Sequence, residues 1–208
     1  MSDQLYPAVL LFGMPGVGKG TQGKLLEQIR GIFHVSTGDI FRALTNDTDD
    51  GRVVADCLKR GQLVPDELTI QTWKHWLDAR IQTQDFRPAE HVLFLDGIPR
   101  NVRQCEMLVQ QMRVVQVIHL ASPDPEAMIH RLRQRALIEG RSDDANESVI
   151  RQRFDVYQRE TAPVLGFYPR EIIHQIDPMG TPAEVLKRIL GCLIPVMLSV
   201  RGSPDRRS

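Results

Sequence analysis

Five short apolar runs punctuate the chain, at Ala8–Phe12, Phe33–Val35, His91–Leu95, Val114–Leu120 and Ile172–Ile176, each followed by a longer stretch of mixed polarity. Runs of this length, rich in Val, Ile, Leu and Phe, read as strands. Their continuous apolar character places them in a sheet covered on both faces. The stretches between them carry helical signals. Gln22–Ile29 is helix-like, and Ile70, Trp73, Leu77 and Ile81 share one face of a helix that Asp66 opens after Pro65; Gly61 closes the helix before it. The tryptophans, Trp73 and Trp76, are therefore expected to be packing residues. Strands alternating with helices predict an α/β fold with a parallel sheet. Ile189–Val200 is apolar but interrupted by Gly191 and Pro195, and it falls short of the roughly 20 residues a membrane span needs. It reads as the end of a packing helix.

Between the first strand and the first helix lies Gly13-Met14-Pro15-Gly16-Val17-Gly18-Lys19-Gly20-Thr21. A strand, a glycine-rich turn and a helix start, in that order, are the context a phosphate-cradling loop requires. Backbone N–H groups that all point inward need dihedral angles that glycine adopts without strain. Lys19 adds positive charge where phosphate must be neutralised. A Gly-Pro turn joining strand to helix would account for Gly13–Gly16 but not for the lysine. Gly20 stands where a hydroxyl often ligates Mg²⁺, and Thr21 comes one residue later, so direct hydroxyl ligation is not expected. In an open parallel sheet, ligands gather at the carboxyl ends of the strands. Ser36-Thr37-Gly38-Asp39 and Asp96-Gly97-Ile98-Pro99-Arg100 both occupy such ends.

Length and charge narrow the class. The 208 residues suit one compact α/β domain with small excursions. Twenty-six basic residues balance twenty-six acidic ones, so net charge gives no support to a nucleic-acid partner. Cys57, Cys105 and Cys192 are far apart and odd in number, which argues against a disulfide framework or a zinc site and fits a reducing cytosol. The six histidines show no ligand spacing. Met1–Pro7 lacks the basic-then-apolar plan of a signal peptide. Arg201–Ser208 reads as a solvated tail, and no repeat or low-complexity stretch is visible.

From about Ala8 to Leu190 the motifs together resemble the adenylate kinase family of nucleoside monophosphate kinases. The resemblance rests on Gly13–Thr21, Ser36–Ala43, Gly61–Leu68, Phe94–Arg100 with Gln104, Gly140–Asp144, and Arg153 through Tyr157 to Thr161-Ala162-Pro163. It implies a P-loop three-layer fold with a five-stranded parallel sheet and helices on both faces. Residues 1–35, 66–133 and 147–208 would form the core, 36–65 a monophosphate-binding insert, and 134–146 a short lid. Closure of such a lid over nucleotide is a known motion of adenylate kinases. The implied reaction is reversible phosphoryl transfer between Mg-ATP and AMP in a cytoplasmic monomer.

That chemistry asks for in-line positioning and concentrated positive charge. By the same resemblance, Gly13, Pro15, Gly16, Val17, Gly18, Lys19, Gly20 and Thr21 bind ATP, with Arg131 stacking on its adenine. Thr37, Gly38, Arg42, Leu63, Val64, Gly97, Arg100 and Gln104 bind AMP. Arg135, Arg141 and Arg153 close over the phosphates from the lid side, so Lys19, Arg100 and these three form the catalytic set. Arg131 and Arg135, four apart on a helix, face the same way. Guanidinium forks hold phosphate oxygens in pairs, as lysine cannot. Asp96 would hold Mg²⁺ through its water shell; capping a following helix is its simpler role. Thr37 could likewise cap a helix beginning near Asp39. Asp143 and Asp144 would orient lid arginines. Arg151 and Arg159 read as surface charges, although Arg151 competes with Arg153 for the lid role.

Two departures matter. Ile98 replaces the aromatic residue usual between Gly97 and Pro99, and the interval from Arg135 to Gly140 is too short for a long, zinc-holding lid. Asn101 after Arg100, together with Ile98, keeps a UMP/CMP kinase open as an alternative. A nucleotide-binding regulatory protein without catalysis is the alternative outside the enzyme class.

Overall fold

The computed structural model describes residues 5–122, 124–141 and 144–200. The strands β1 (Tyr6–Phe12), β2 (Ile32–Ser36), β3 (Val92–Asp96), β4 (Met112–Leu120) and β5 (Ile173–Ile176) form one parallel sheet in the order β2-β3-β1-β4-β5. Each of the five apolar runs holds a strand, with His91 and Ile172 lying just before β3 and β5. β2 and β3 run on to polar Ser36 and Asp96, which pair in register with each other.

Although β1 is apolar throughout, its side chains alternate between two half-cores. Val9 and Leu11 join Phe94, Ile118 and Leu120 on one face. That face is covered by α1 (Lys19–Leu26), α6 (Pro125–Glu139), α7 (Glu147–Val156) and α8 (Pro182–Val200), through Leu26, Met128, Ile150 and Ile189. Ala8, Leu10 and Phe12 join the other face, covered by α4 (Asp66–Gln82) and α5 (Val102–Leu108). Burying one large apolar side chain stabilises by roughly 1.5–3 kcal/mol, so two filled faces make the sheet a firm platform. Trp73 is fully inside with Leu77, while Trp76 is half-buried against Phe33 with the Arg80 guanidinium over its ring.

The chain crosses β3 on its way from β1 to β2, and crosses β1 on its way from β3 to β4. The loops leaving β1 and β3 therefore diverge and open a crevice between the two strand ends. Outside the sheet stand α2 (Thr37–Ala43) and α3 (Asp49–Arg60), the latter closed by Gly61 as expected.

Two local readings need correction and one is borne out. The first helix begins at Lys19 and ends at Leu26, because the glycine loop delivers the chain into helical geometry at Lys19, ahead of the unfavourable Gly20 and Thr21, and Gly31, at φ 89°, turns it into β2. Ile189–Val200 is the end of a packing helix as read, and α8 continues through Gly191 and Pro195. The carbonyl that Pro195 crowds belongs to Gly191, four residues earlier, and that glycine is exposed to solvent. No helix starts at Ile98, so Asp96 caps nothing; Asn101 caps α5 by accepting from the Gln104 N–H. Residues 134–139 belong to α6, and its C-cap is Gly140. Arg201–Ser208 and Asp143 lie outside the described residues.

Candidate active site

The loop between β1 and α1 turns on Gly13, Gly16 and Gly18, with φ of 149°, 89° and 96°. α1 has no side-chain cap and no acidic residue in its first turn, which leaves its first N–H groups and its positive dipole end for an anion. Lys19 Nζ donates to Gly13 O at 2.7 Å and Met14 O at 3.2 Å. Burial lowers its pKa to about 8; Asp96 draws it up, while Arg100, Arg153 and Arg135 press it down. One lysine thus sits amid three guanidiniums and one carboxylate.

Two clefts open on either side of this loop. The first has the loop residues Gly13, Pro15 and Lys19 as one wall. Arg100 and Gly97 come from the end of β3, Gly38 and Arg42 from α2, Leu63 and Val64 from the turn after α3, and Gln104 and Arg153 complete the lining. Thr37 lies beneath, buried, its hydroxyl donating to Asp96 O at 3.3 Å; Ser36 rather than Thr37 caps α2. Arg100 Nε donates to Gly97 O at 3.0 Å, and its backbone N–H donates to Gln104 Oε1 at 2.7 Å. The second cleft carries Gly16, Val17, Gly18, Gly20 and Thr21 on one side and Arg131 and Arg135 of α6 on the other. Arg131 Nη2 lies 3.8 Å from Met179 Sδ.

The remaining arginines are held by carboxylates. Asp144, with no exposed surface, takes Arg135 Nε at 2.7 Å and also contacts Arg153 through its other oxygen. Arg141 does not line the first cleft; it pairs with Glu139 at 2.7 Å and approaches Asp39 at 3.7 Å, and Asp39 also binds Arg42. Arg151 points outward to Glu126 and Glu147, so the two candidates separate: Arg153 reaches the cleft and Arg151 does not. Arg159 pairs with Glu160 on the surface.

Among the described residues no three His, Cys, Asp or Glu side chains are grouped to hold a metal. Asp96, 8% exposed at the carboxyl end of β3 and electrostatically coupled to Lys19, suits an ion that arrives on phosphate. Mg²⁺ keeps several waters and takes one or two carboxylates beside phosphate oxygens, which fits this donor set.

Sequence reasoning missed part of both linings. Phe41, Leu58, Gln62 and Thr69 line the first cleft, and Thr161 donates to Arg100 O at 2.8 Å. Pro178, Gly180 and Pro182 line the second, where Gln22 Nε2 donates to Pro182 O at 3.0 Å. Their Pro-Gly-rich segment follows β5, so the strand-end rule could have found it.

A phosphate loop shared by two clefts, with cations converging from three elements, defines a P-loop phosphotransferase that acts between two bound nucleotides. The adenylate kinase family profile matches residues 11–173. Similar proteins include the adenylate kinases of Parabacteroides distasonis, 38% identical over 87% of this chain and 94% of its own, and Thermus thermophilus, 38% over 89% and 96%. That of Thermobifida fusca is 40% identical over 89% and 97%. The chain belongs to the adenylate kinase family.

Proposed function

We propose that this chain transfers the terminal phosphoryl group of ATP reversibly to AMP, giving two ADP, with ATP in the cleft beside α6 and AMP in the cleft beside α2. The observation that carries the reading is that Lys19 stands between the two clefts, among Arg100, Arg135 and Arg153. A phosphate oxygen of AMP attacks the terminal phosphorus of ATP in line, and the bond to the bridging oxygen breaks. The transferring group gathers charge on its equatorial oxygens, where fixed cations act without reorganising. Lys19 and the loop N–H groups hold the donor phosphates, Arg42 and Arg100 the acceptor phosphate, and Arg135 and Arg153 converge from the lid side, where Arg141, paired with Glu139 here, would join them on closure. Mg²⁺, bound with ATP and positioned by Asp96, supplies further charge neutralisation.

The reading includes a core of residues 1–35, 66–133 and 147–208, an insert of 36–65 that carries the acceptor, and a lid of 134–146 that excludes water. It also includes a cytoplasmic monomer; no described helix is long and apolar enough to cross a membrane. Of the two features that keep a pyrimidine acceptor open, Ile98 and Asn101, the Asn101 side chain is engaged in capping α5 and in bonding to Asp66. A coupled assay with ATP and each of AMP, CMP, UMP and GMP tests the reading. AMP should give the highest kcat/KM, and Gln104→Ala should erode that preference. A higher value for CMP or UMP would overturn it.

A further inference from the structure

Gln104 is buried, lines the acceptor cleft and is held at both ends of its amide. Its Oε1 accepts from the Arg100 backbone N–H at 2.7 Å, and its Nε2 donates to Asp66 Oδ1 at 2.8 Å. A backbone N–H can only donate and an ionised carboxylate can only accept, so the two contacts fix which end of the amide is oxygen and which is nitrogen. After both are made, the amide has one N–H and one lone pair left, each on a determined side.

Asp66 is itself held in place. The same Oδ1 accepts from Asn101 Nδ2 at 2.8 Å, and Asn101 cannot turn over because its Oδ1 accepts the Gln104 backbone N–H at 2.8 Å. Arg103 Nε stands 4.0 Å from the other oxygen. Asp66 opens α4, and Asn101 and Gln104 belong to the start of α5, so the network spans two elements far apart in sequence.

From this geometry we propose that Asp66 is a positioning residue for base recognition: it locks the Gln104 amide in the one orientation that matches adenine and opposes hypoxanthine. The inference rests on the reading of Gln104 as the base-contacting residue. Adenine presents an amino donor beside a ring-nitrogen acceptor. Hypoxanthine presents a carbonyl acceptor beside a ring N–H, the reverse pattern. An amide free to turn over could serve either base. A turned Gln104 here would set its NH₂ against the Arg100 N–H and its oxygen against the Asp66 carboxylate, two unfavourable contacts in a buried place. Removing Asp66 leaves one of the two constraints.

The test compares kcat/KM for AMP and for IMP, with ATP saturating, in the native protein and in Asp66→Ala, Asp66→Ser and Asp66→Asn. Ala and Ser should each lower the AMP-over-IMP ratio by about tenfold, a loss of one constraint on a buried polar group, and the change should appear in KM more than in kcat. Ser keeps a residue suited to a helix start but lacks the outer oxygens, so it remains informative if the Ala variant folds poorly. Asn should stay within about twofold of the native ratio, because Asn101 holds the Asn oxygen toward Gln104. An unchanged ratio in both Ala and Ser, whatever their thermal stability, would reduce Asp66 to a helix-start residue and overturn the proposal. A ratio in Asn as low as in Ala would overturn it too, by showing that charge rather than orientation is at work. If Gln104→Ala also leaves the native ratio unmoved, the underlying assignment of the base slot is what fails.

Discussion

Replacing Lys19 by Met should abolish turnover and yet make the nucleotide-free protein more stable at pH 7. Folding lowers the lysine's pKa from the ordinary 10.5 to about 8, first because burial strips water from the charge. At about 1.36 kcal/mol per pH unit, holding Lys19 charged costs about 3 kcal/mol below pH 8. Met removes that cost together with the bonds to Gly13 O and Met14 O, each contributing about 1 kcal/mol. The balance at pH 7 is about 1 kcal/mol in favour of the variant, or roughly 2–4 °C in Tm for a chain of this size. The sign with pH follows from proton binding. Between about pH 8 and 10.5 the unfolded chain binds the proton that the folded one has lost, so the native protein gains stability across that window while the variant does not. Thermal melts of both proteins at intervals from pH 7 to pH 10 measure the difference. The two curves should converge and then cross. A variant less stable at pH 7, with a gap that stays constant to pH 10, would refute the reasoning about Lys19, as would near-native turnover.

Arg100→Lys keeps the charge but loses the fork and the bond from Nε to Gly97 O; a fall in kcat/KM of about 10³ is expected, by analogy with other catalytic arginines, and a change of only a few-fold would remove Arg100 from the chemistry. Chelation of divalent cations should stop turnover and added Mg²⁺ restore it, measured in the same coupled assay; full activity in excess chelator would contradict the role given to Asp96. Gly23→Ala should destabilise by about 2 kcal/mol through overpacking, because a Cβ there would stand 2.2 Å from the buried His34 ring; a melt unchanged from native would show that the ring moves aside freely.

How far the sequence announced this protein depends on whether a feature is local. The strands were legible because continuous apolar runs such as Ala8–Phe12 and Val92–Leu95 belong in the interior, and the glycine loop and the Arg100 segment were legible because their chemistry lies in consecutive residues. Helix limits were less so. Gly20 and Thr21 are poor helix formers, and their helical state is imposed by the loop before them. Pro195 carries a strong stop signal, yet the helix continues where the crowded carbonyl has solvent beside it. The supports of the site were hidden for another reason. Asp66 meets Gln104 across 38 positions and Thr161 meets Arg100 across 61, distances at which spacing says nothing and only the folded path brings donor to acceptor. Arg153 was favoured over Arg151 only through its register with Tyr157 and Thr161-Ala162-Pro163; helix geometry separates the two directly, sending Arg151 to Glu126 and Arg153 to the cleft.

The buried carboxylate of Asp144, bonded at once to Arg135 and Arg153, bears on how the protein lets go of what it holds. Cations that grip phosphate in every cycle must also surrender it, and a bare cluster of guanidiniums would do so slowly. Asp144 offers those guanidiniums an anion of their own chain. On the proposed reading, nucleotide phosphate would enter by exchanging partners with it, and product would leave as the exchange ran backward. Grip and release become two positions of one traded contact, so a stronger hold on the phosphates need not mean a slower departure.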